Sequence, residues 1–367
     1  MERIKVVPRD GYEKKVEEFG FHFHNDYWKE EACYLFRPCE IEEIEKATRE
    51  CYRMCCDAAQ YIIDNDLFVE MQIPLEMRGA IIQSWENDDL SLYGRFDFAL
   101  VDGVPKMLEF NADTPTSLLE CSLIQWDWKN EVFPEKDQFN GIHEAMVQSF
   151  KDIAEIYGTE KIHFACCRES LEDEETLKYI LSTAYEAGIS ISEVSMEQLL
   201  LKDGRFYTPT GEKINCCFKL YPWEWMFSES IEGCMASIRW IEPMWKSLMS
   251  NKAILVVLSE LFKESPYILK AGFTADGMSC YCQKPIFSRE GANVKLVEYG
   301  NTIEYSSGEY GAEGFIYQEL VRLKNYDGKY PIIGSWVIGG EPAGMGIRET
   351  PSRITDNMSE FVPHIIL

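Results

Sequence analysis

The chain has 367 residues, and its 62 acidic and 36 basic side chains give a formal net charge of −26. A hydrophobic content of 46% is that of a globular protein and excludes a disordered or fibrous chain. Such an acidic excess argues against nucleic acid and against an anionic membrane surface as partners. It favours a cationic ligand, with solubility alone as the alternative explanation.

Targeting signals and disulfide patterns are missing from the sequence. The charged start, MERIKVVPRDGYEKK, lacks the apolar segment of a signal peptide, and no run of 18 apolar residues occurs. Six of the thirteen cysteines form three adjacent pairs, at 55–56, 166–167 and 216–217, and no Cys-x-x-Cys pair is present. We therefore expect reduced thiols and a cytoplasmic protein, with a catalytic cysteine as the alternative.

The first strong periodic signal spans residues 41–63. Its apolar residues recur at helical spacing, with Glu and Arg on the other face, which predicts an amphipathic helix of the scaffold. Before it, His22 and His24 are either part of a metal-binding site or an ordinary pair that is packed or at the surface.

Residues 95–111 read as a β-hairpin, because two alternating runs flank Asp102 and Gly103. A strict two-residue turn would place Asp97 opposite Leu108 and mix the polar and apolar faces. A three-residue loop, or equally a β-bulge, places Asp97 opposite Glu109 and puts every polar group on one face. Core burial should select this second register.

Two carboxylates directly opposite each other repel unless something lies between them. A divalent cation is the simplest solution, and the oxygens of Asp97, Glu109 and Asn111 suit magnesium. Arg95 would then contact a phosphoryl oxygen that the metal brings with it. The alternative is an ordinary solvated sheet face.

The middle of the chain predicts a β-α-β unit, with a helix over 140–157, a strand over 161–167, a helix over 172–188 and a strand over 189–194. The Trp- and Met-rich segment 223–249 is predicted to lie in the core. A helix over 253–262 and short strands with glycine turns complete the chain.

Several stretches resemble the synthetase domain of glutathionylspermidine synthases, which have an ATP-grasp fold. They are RFDFALVDG (95–103), LEFNADTPTSLLE (108–120), YCQKPIFSREGANV (281–294), FIYQELV (315–321), SWVIGGEPAGMGIRE (335–349) and ITDNMSEFVPH (354–364). The resemblance implies an α/β (α+β) protein, with an ATP-grasp core over 1–150 and 216–367. A small α/β unit of pre-ATP-grasp type would occupy 151–215.

The resemblance also assigns site residues. It implies that magnesium is held by Asp97, Glu109 and Asn111, that Arg95 and Arg348 act on the transferring phosphate, and that Lys252 and Lys284 hold ATP phosphates. The loop 288–293, with Glu290 and Gly291, would close over the nucleotide, and the backbone of Gln318, Glu319, Leu320 and Val321 would pair with adenine. Thr114 and Thr116 would meet the peptide, and Glu174 or Glu175 the polyamine. An acidic helix N-terminus is the ordinary alternative for the last two.

The implied activity is ATP- and magnesium-dependent amide formation through an acyl phosphate. It would join a glutathione-like peptide carboxylate to a polyamine such as spermidine, in a stand-alone member without the amidase domain. A ligase with another peptide and amine, or a nucleotide-binding homologue without turnover, is the alternative. The expected partners are small molecules, with a homodimer left open.

Overall fold

The computed structural model describes residues 1–25, 27–229, 235, 237–356 and 359–367. The strands in chain order are β1 (Glu2–Lys5), β2 (Ala32–Phe36), β3 (Tyr93–Val101), β4 (Val104–Asn111), β5 (Lys161–Cys166), β6 (Ser190–Ser195), β7 (Leu200–Lys202), β8 (Arg205–Tyr207), β9 (Cys216–Leu220), β10 (Arg239–Ile241), β11 (Ala271–Gly272), β12 (Cys280–Pro285), β13 (Lys295–Glu298), β14 (Asn301–Tyr305), β15 (Phe315–Glu319), β16 (Tyr330–Ile338), β17 (Glu341–Thr350), β18 (Glu360–Val362) and β19 (His364–Ile366).

The α-helices are α1 (Tyr12–Glu17), α2 (Pro38–Asp64), α3 (Arg78–Glu86), α4 (Gln125–Val132), α5 (Ile142–Tyr157), α6 (Leu171–Glu186), α7 (Trp223–Met226) and α8 (Ile254–Leu261). Short 3-10 turns cover Leu75–Met77, Met196–Gln198 and Met244–Leu248, and a π-helical turn covers Glu120–Ile124. The helices predicted over 41–63, 140–157, 172–188 and 253–262 are confirmed as α2, α5, α6 and α8, with ends that differ by up to three residues.

The central antiparallel sheet has the order β18-β17-β16-β3-β4. Helix α2 covers one of its faces with a buried apolar stripe that includes Ile44, Cys51 and Ala58. Thr48 of this stripe shares a hydrogen bond of 2.7 Å with Ser335 of β16. The periodicity therefore identified the scaffold helix correctly.

The predicted hairpin is β3-β4. A β-bulge in it keeps the polar side chains on one face of the sheet and the apolar side chains on the other. Asp102 and Gly103 form a two-residue turn with positive φ angles of 50° and 85°, as the tight hairpin turn requires. The register then shifts between Asp97 and Phe98, so Asp97 pairs with Glu109. Of the two solutions that the sequence allowed, the bulge is the correct one.

A second, parallel sheet has the order β10-β9-β5-β6, with helices α5 and α6 packed together beside it. This confirms the predicted β-α-β alternation. The sheet continues past residue 215, because β9 and β10 belong to it. The division into a core and a small unit over 151–215 stays a prediction, and its second boundary falls within this sheet.

A third sheet, β11-β15-β12-β13-β14, faces the β3-β4 hairpin across a cleft. The tip of Lys284 on β12 reaches back to the hairpin, where its ammonium group donates to the Leu108 carbonyl at 2.8 Å. Leu108 is the extra residue that the bulge inserts into β4. The bulge therefore presents a carbonyl to the opposite wall of the cleft.

Three further expectations can be compared with the described residues. No helix among them is long and apolar enough to cross a membrane. Every cysteine in the described part of the chain is free. In the segment 223–249, Trp223, Trp240 and Met244 are buried as predicted, whereas 230–234 and 236 lie outside the described residues.

Candidate active site

A cavity of about 1220 Å³, measured with its open mouth, lies between the hairpin β3-β4, the sheet that contains β12 and β15, and strand β17. All of the predicted site residues line it except Glu174 and Glu175. These residues come from sequence positions more than 250 apart. The fold thus gathers the predicted set into one place, while the role of each residue stays a prediction.

Asp97 lies between two guanidinium groups at the closed end of the cavity. Arg95 donates from Nε to Asp97 Oδ1 at 2.7 Å, and Arg348 donates from Nη2 to Oδ2 at 2.7 Å. Arg95 also donates to the Thr116 carbonyl at 2.5 Å, and it is only 4% exposed. A side chain at Gly334 would lie 2.9 Å from Arg95 Cδ, so glycine on β16 leaves the space that Arg95 occupies.

Glu109 faces the two lysines of the opposite wall. Its Oε2 lies 3.2 Å from Lys252 Nζ, and Asn111 donates to its Oε1 at 3.5 Å. Burial alone would raise the pKa of Glu109. The ammonium groups of Lys252 and Lys284, with the guanidinium of Arg95, outweigh burial and hold that pKa well below its usual value.

Cationic side chains surround the two opposed carboxylates of the hairpin. The repulsion between Asp97 and Glu109 is relieved here by Arg95, Arg348 and Lys252, so a divalent cation is not the only solution. Six cationic and four acidic side chains line the cavity, which gives it a formal charge of 6 − 4 = +2 in a chain of −26. The excess of positive charge marks the cavity as a site for an anion such as a polyphosphate.

The chemistry of the donor set fits magnesium. Two carboxylates and one amide oxygen from adjacent strands meet at the cavity wall, and hard oxygen ligands of this kind are those that magnesium prefers. The described residues contain no group of three or more His, Cys, Asp or Glu that could hold a metal. His22 contacts Glu175 at 2.5 Å and His24 contacts Glu17 at 3.1 Å, so they do not form a joint centre.

The loop 288–293 packs against the C-terminal segment at the mouth of the cavity. Gly291 has φ +66°, and a side chain there would lie 2.3 Å from the Thr355 carbonyl oxygen. Lys252 donates to the Ser288 carbonyl at 2.6 Å, and Arg289 donates to Thr114 Oγ1 at 2.9 Å. The loop therefore joins the lysine wall to the segment that follows β4.

The predicted adenine segment forms the outer wall. Gln318 is buried and its Oε1 accepts from Lys284 at 2.8 Å, so its side chain orients the lysine. The amides of Glu319 and Leu320 donate to the carbonyls of Lys270 and Cys280 at 2.8 and 3.2 Å. Apolar side chains complete this part of the cavity, which gives it a surface suited to a flat ring: Val294, Leu296, Leu320, Leu323 and Ile332.

The sequence matches a known protein family along nearly its whole length. The family model described as "Glutathionylspermidine synthase preATP-grasp" matches residues 3–367. The chain belongs to the glutathionylspermidine synthase family.

The chain covers nearly all of one relative and about half of two others. The Haemophilus influenzae protein named "Putative acid–amine ligase" is 36% identical over 99% of both chains. The trypanothione synthetase of Crithidia fasciculata is 31% identical over 83% of this chain and 51% of its own length. The bifunctional glutathionylspermidine synthetase/amidase of Escherichia coli is 25% identical over 91% of this chain and 59% of its own. The predicted family, ligase class and ATP-grasp fold are thereby confirmed.

No acid of helix α6 lines the cavity. Glu175 is buried against His22, whose backbone N–H donates to it at 3.0 Å, so the predicted polyamine role of Glu174 or Glu175 stays a prediction. Burial raises the pKa of Glu172 to about 7, and Arg348 and Arg95 oppose that rise. An acidic first turn offers four neighbouring candidates, and only the packing of the helix selects among them.

Other residues near the synthase site were missed because their signals are distributed along the chain. Arg289 and Arg353 line the cavity, and Glu120, which follows the Thr114–Ser117 stretch in the chain, is buried. Arg289 and Glu120 stand within the quoted motifs, where the charge of Arg289 in a glycine-bearing loop is a usable signal. Nothing in the sequence marks Glu120 as buried.

Proposed function

We propose that the protein is an ATP- and magnesium-dependent carboxylate–amine ligase that forms an amide through an acyl phosphate. Its acyl substrate would be a glutathione-like peptide and its amine a polyamine such as spermidine. The observation that carries this proposal is a single cavity of net charge +2 in a chain of −26, with an oxygen donor set at one end and an apolar wall at the other.

Lys252 and Lys284 would bind the nucleotide phosphates. Both ammonium groups now contact neighbours that a phosphate can replace: Lys252 contacts Glu109 and the Ser288 carbonyl, and Lys284 contacts the Leu108 carbonyl. Lysine is a compact charge that moves on a flexible stem, so this exchange needs no change of fold. The apolar outer wall would receive the adenine.

Asp97, Glu109 and Asn111 would hold magnesium beside those phosphates. When bound, the metal supplies charge neutralisation and polarises phosphoryl oxygens. Arg95 and Arg348 are fixed by Asp97 and point along the same face of the sheet, where they would stabilise the charge that moves during transfer. Positioning and electrostatics account for most catalysis of this type.

The peptide would lie against the segment after β4. Arg289 is held by Glu224 at 2.8 Å and by Thr114, so its guanidinium is fixed beside the cavity and suits a carboxylate. In the proposed reaction, a peptide carboxylate oxygen attacks the terminal phosphorus of ATP and ADP leaves. The amine nitrogen then attacks the acyl carbon, the bond to phosphate breaks, and an amide and phosphate are released.

The test is product formation with defined substrates. The protein is incubated with ATP, magnesium, glutathione and spermidine, and ADP release is measured together with the mass of any conjugate. Release of ADP that requires both substrates, with a conjugate lighter than their sum by one water, supports the proposal. ATP binding without turnover, across a panel of peptides and amines, contradicts it.

A further inference from the structure

Residues 352–355 form a short strap between the two walls of the cavity. They follow β17 of the central sheet, and Arg353, Ile354 and Thr355 all line the cavity. The opposite wall belongs to the sheet that contains β12, β13 and β14. The strap therefore leaves one wall and borders the enclosed space as it approaches the other.

Glu304 on β14 fastens the strap to the opposite wall. One of its oxygens accepts from Ser352 Oγ at 2.5 Å and from the Arg353 backbone N–H at 2.9 Å, and the other accepts from Arg353 Nε at 2.9 Å. Burial would raise the pKa of Glu304, but the hydrogen bonds from Ser352 and Arg353 outweigh burial and lower it. A partly buried carboxylate with three donors, one of them a guanidinium, makes a stronger contact than an ordinary surface ion pair.

The strap also packs on the apolar wall of the cavity. Ile354 is 6% exposed and belongs to a buried cluster with Cys282, Val294 and Leu296, all of which line the cavity. In the register of β13 and β14, Leu296 lies directly opposite Glu304. The fastening and the apolar wall are therefore parts of the same two strands.

The loop 288–293 brings the strap close to the lysine wall. A side chain at Gly291 would lie 2.3 Å from the Thr355 carbonyl oxygen, so the two backbones approach each other closely. The same loop accepts a hydrogen bond from Lys252 through the Ser288 carbonyl. The strap thus meets both the wall proposed for adenine and the loop proposed to close over the phosphates.

Resting on the ATP-dependent reaction proposed above, we infer that Glu304 is a positioning residue that holds the strap 352–355 closed over bound nucleotide. An adenine on the apolar wall is bordered by Ile354, so the strap moves when the nucleotide leaves. Glu304 does not itself line the cavity and acts through Ser352 and Arg353. It therefore controls how fast nucleotide is exchanged and not how fast the bond-forming steps occur.

The rate of ADP dissociation tests the role of Glu304. The protein is loaded with magnesium and with ADP that has a fluorescent label on the ribose, and the label is chased with excess unlabelled ADP in a stopped-flow instrument. In Glu304→Ala we expect dissociation about tenfold faster than in wild type, because the strap loses three hydrogen bonds that hold it closed. Titration calorimetry with unlabelled ADP should give a Kd raised by a similar factor, which excludes an effect of the label.

Two further variants separate the strap from general effects on β14. Glu304→Gln keeps an oxygen that can accept from Ser352 but loses the charge beside the guanidinium, so its ADP dissociation should be faster than wild type and slower than Glu304→Ala. Glu309→Gln is the control, because it changes an exposed acid that follows the same strand, and it should leave dissociation unchanged. Dissociation from Glu304→Ala at the wild-type rate, or an equal gain in Glu309→Gln, would overturn the inference.

A double-mutant cycle with Arg353→Ala shows whether Glu304 acts through the strap. If the two residues form one fastening, the double variant should release ADP no faster than the faster of the two single variants. Effects that multiply in full would mean that Glu304 acts on nucleotide by a separate route, and would overturn the inference.

Steady-state kinetics distinguish this inference from the proposed function. In Glu304→Ala the KM for ATP should rise while kcat at saturating ATP does not fall; a lower kcat with an unchanged KM would contradict a role in nucleotide exchange. A wild type that binds ADP and shows the predicted changes in dissociation, but forms no conjugate, would contradict the ligase reaction and support the strap. A wild type that binds neither ADP nor ATP would overturn both.

Discussion

Two pairs of acidic side chains are influenced by the same arginines, Arg95 and Arg348, and they differ in their neighbours. The hairpin pair, Asp97 and Glu109, is matched by guanidinium and ammonium groups within 3.2 Å of its oxygens. The helix pair, Glu120 and Glu172, has no ion pair with a cation among the described residues, and burial is its dominant influence.

The two pairs favour opposite protonation states although the same arginines influence both. In the hairpin pair, nearby cations outweigh burial and keep the pKa of Glu109 low, so its carboxylate stays charged and suited to a metal. In the helix pair burial prevails, and pKa values near neutrality suit proton transfer. Substitutions that alter one pair while leaving the other intact can test this separation.

Glu109→Gln should have the largest effect, because it removes the charge that faces both lysines and one of the three proposed metal ligands. We expect turnover to fall about 1000-fold. The variant should still fold but unfold at a temperature a few degrees lower, because Lys252 and Lys284 lose the carboxylate that faces them. Asp102→Asn is the matched control on the same hairpin, since its turn position accepts Asn and lies far from the cavity. Comparable activity in the two variants would mean that Glu109 holds no essential ligand.

Arg348→Met tests the arginine that contacts Asp97 and lowers the pKa of Glu172. The loss of one guanidinium from Asp97 should lower kcat about 100-fold, because the charge that shifts during phosphoryl transfer loses one of its two arginines. It should also raise the pKa of Glu172, since Arg348 lowers that pKa in the wild type. The measurements are kcat and thermal unfolding of the variant beside wild type. Loss of folded protein would contradict a catalytic role.

Gly291→Ala concerns the loop 288–293, whose Ser288 carbonyl accepts a hydrogen bond from Lys252, the lysine that faces Glu109. A methyl group at Gly291 would meet the Thr355 carbonyl in a backbone conformation that L-residues rarely adopt. The resulting backbone strain of about 1–3 kcal/mol should disturb the loop, and we expect the KM for ATP to rise about tenfold.

The control for the loop is Gly300→Ala. Gly300 has a similar φ of +80°, but a side chain there would contact nothing within 4 Å. It therefore reproduces the backbone strain without the collision. An equal effect in both variants would show that strain alone, and not closure of the loop against Thr355, changes ATP binding.

The sequence identified the hairpin pair and overlooked the helix pair for physical reasons. The alternation of polar and apolar residues along β3 and β4 fixes which side chains share a face, and therefore places Asp97 opposite Glu109. It does not distinguish a bulge from a longer loop, because both give the same pairing at Asp97. Nor does it indicate that Arg348, 251 positions away, lies on that carboxylate.

The acids of α6 are hard to tell apart in the sequence. All four acids at its start suit the helix dipole, which is the ordinary alternative to the polyamine role that the family resemblance implies for Glu174 or Glu175. The packing of α6 buries Glu175 against His22, which the sequence pattern does not indicate. Glu120 is buried at the start of a π-helical turn, which leaves no clear pattern in the sequence.

The smallest predicted effect is on the pH dependence of thermal stability, and it concerns Glu120 of the helix pair. Because the pKa of Glu120 rises from 4.5 to about 8 on folding, its neutral form stabilises the native state at low pH, and this stabilisation is lost as the pH rises through about 8. Glu120→Gln cannot ionise, so its unfolding temperature relative to wild type should increase by a few degrees between pH 6 and pH 9. Glu155→Gln, at an exposed acid of helix α5, measured by the same thermal scans, should show no such trend. A constant difference between Glu120→Gln and wild type would mean that Glu120 keeps the same charge throughout this range, and the contrast between the two pairs would then rest on Glu172 alone.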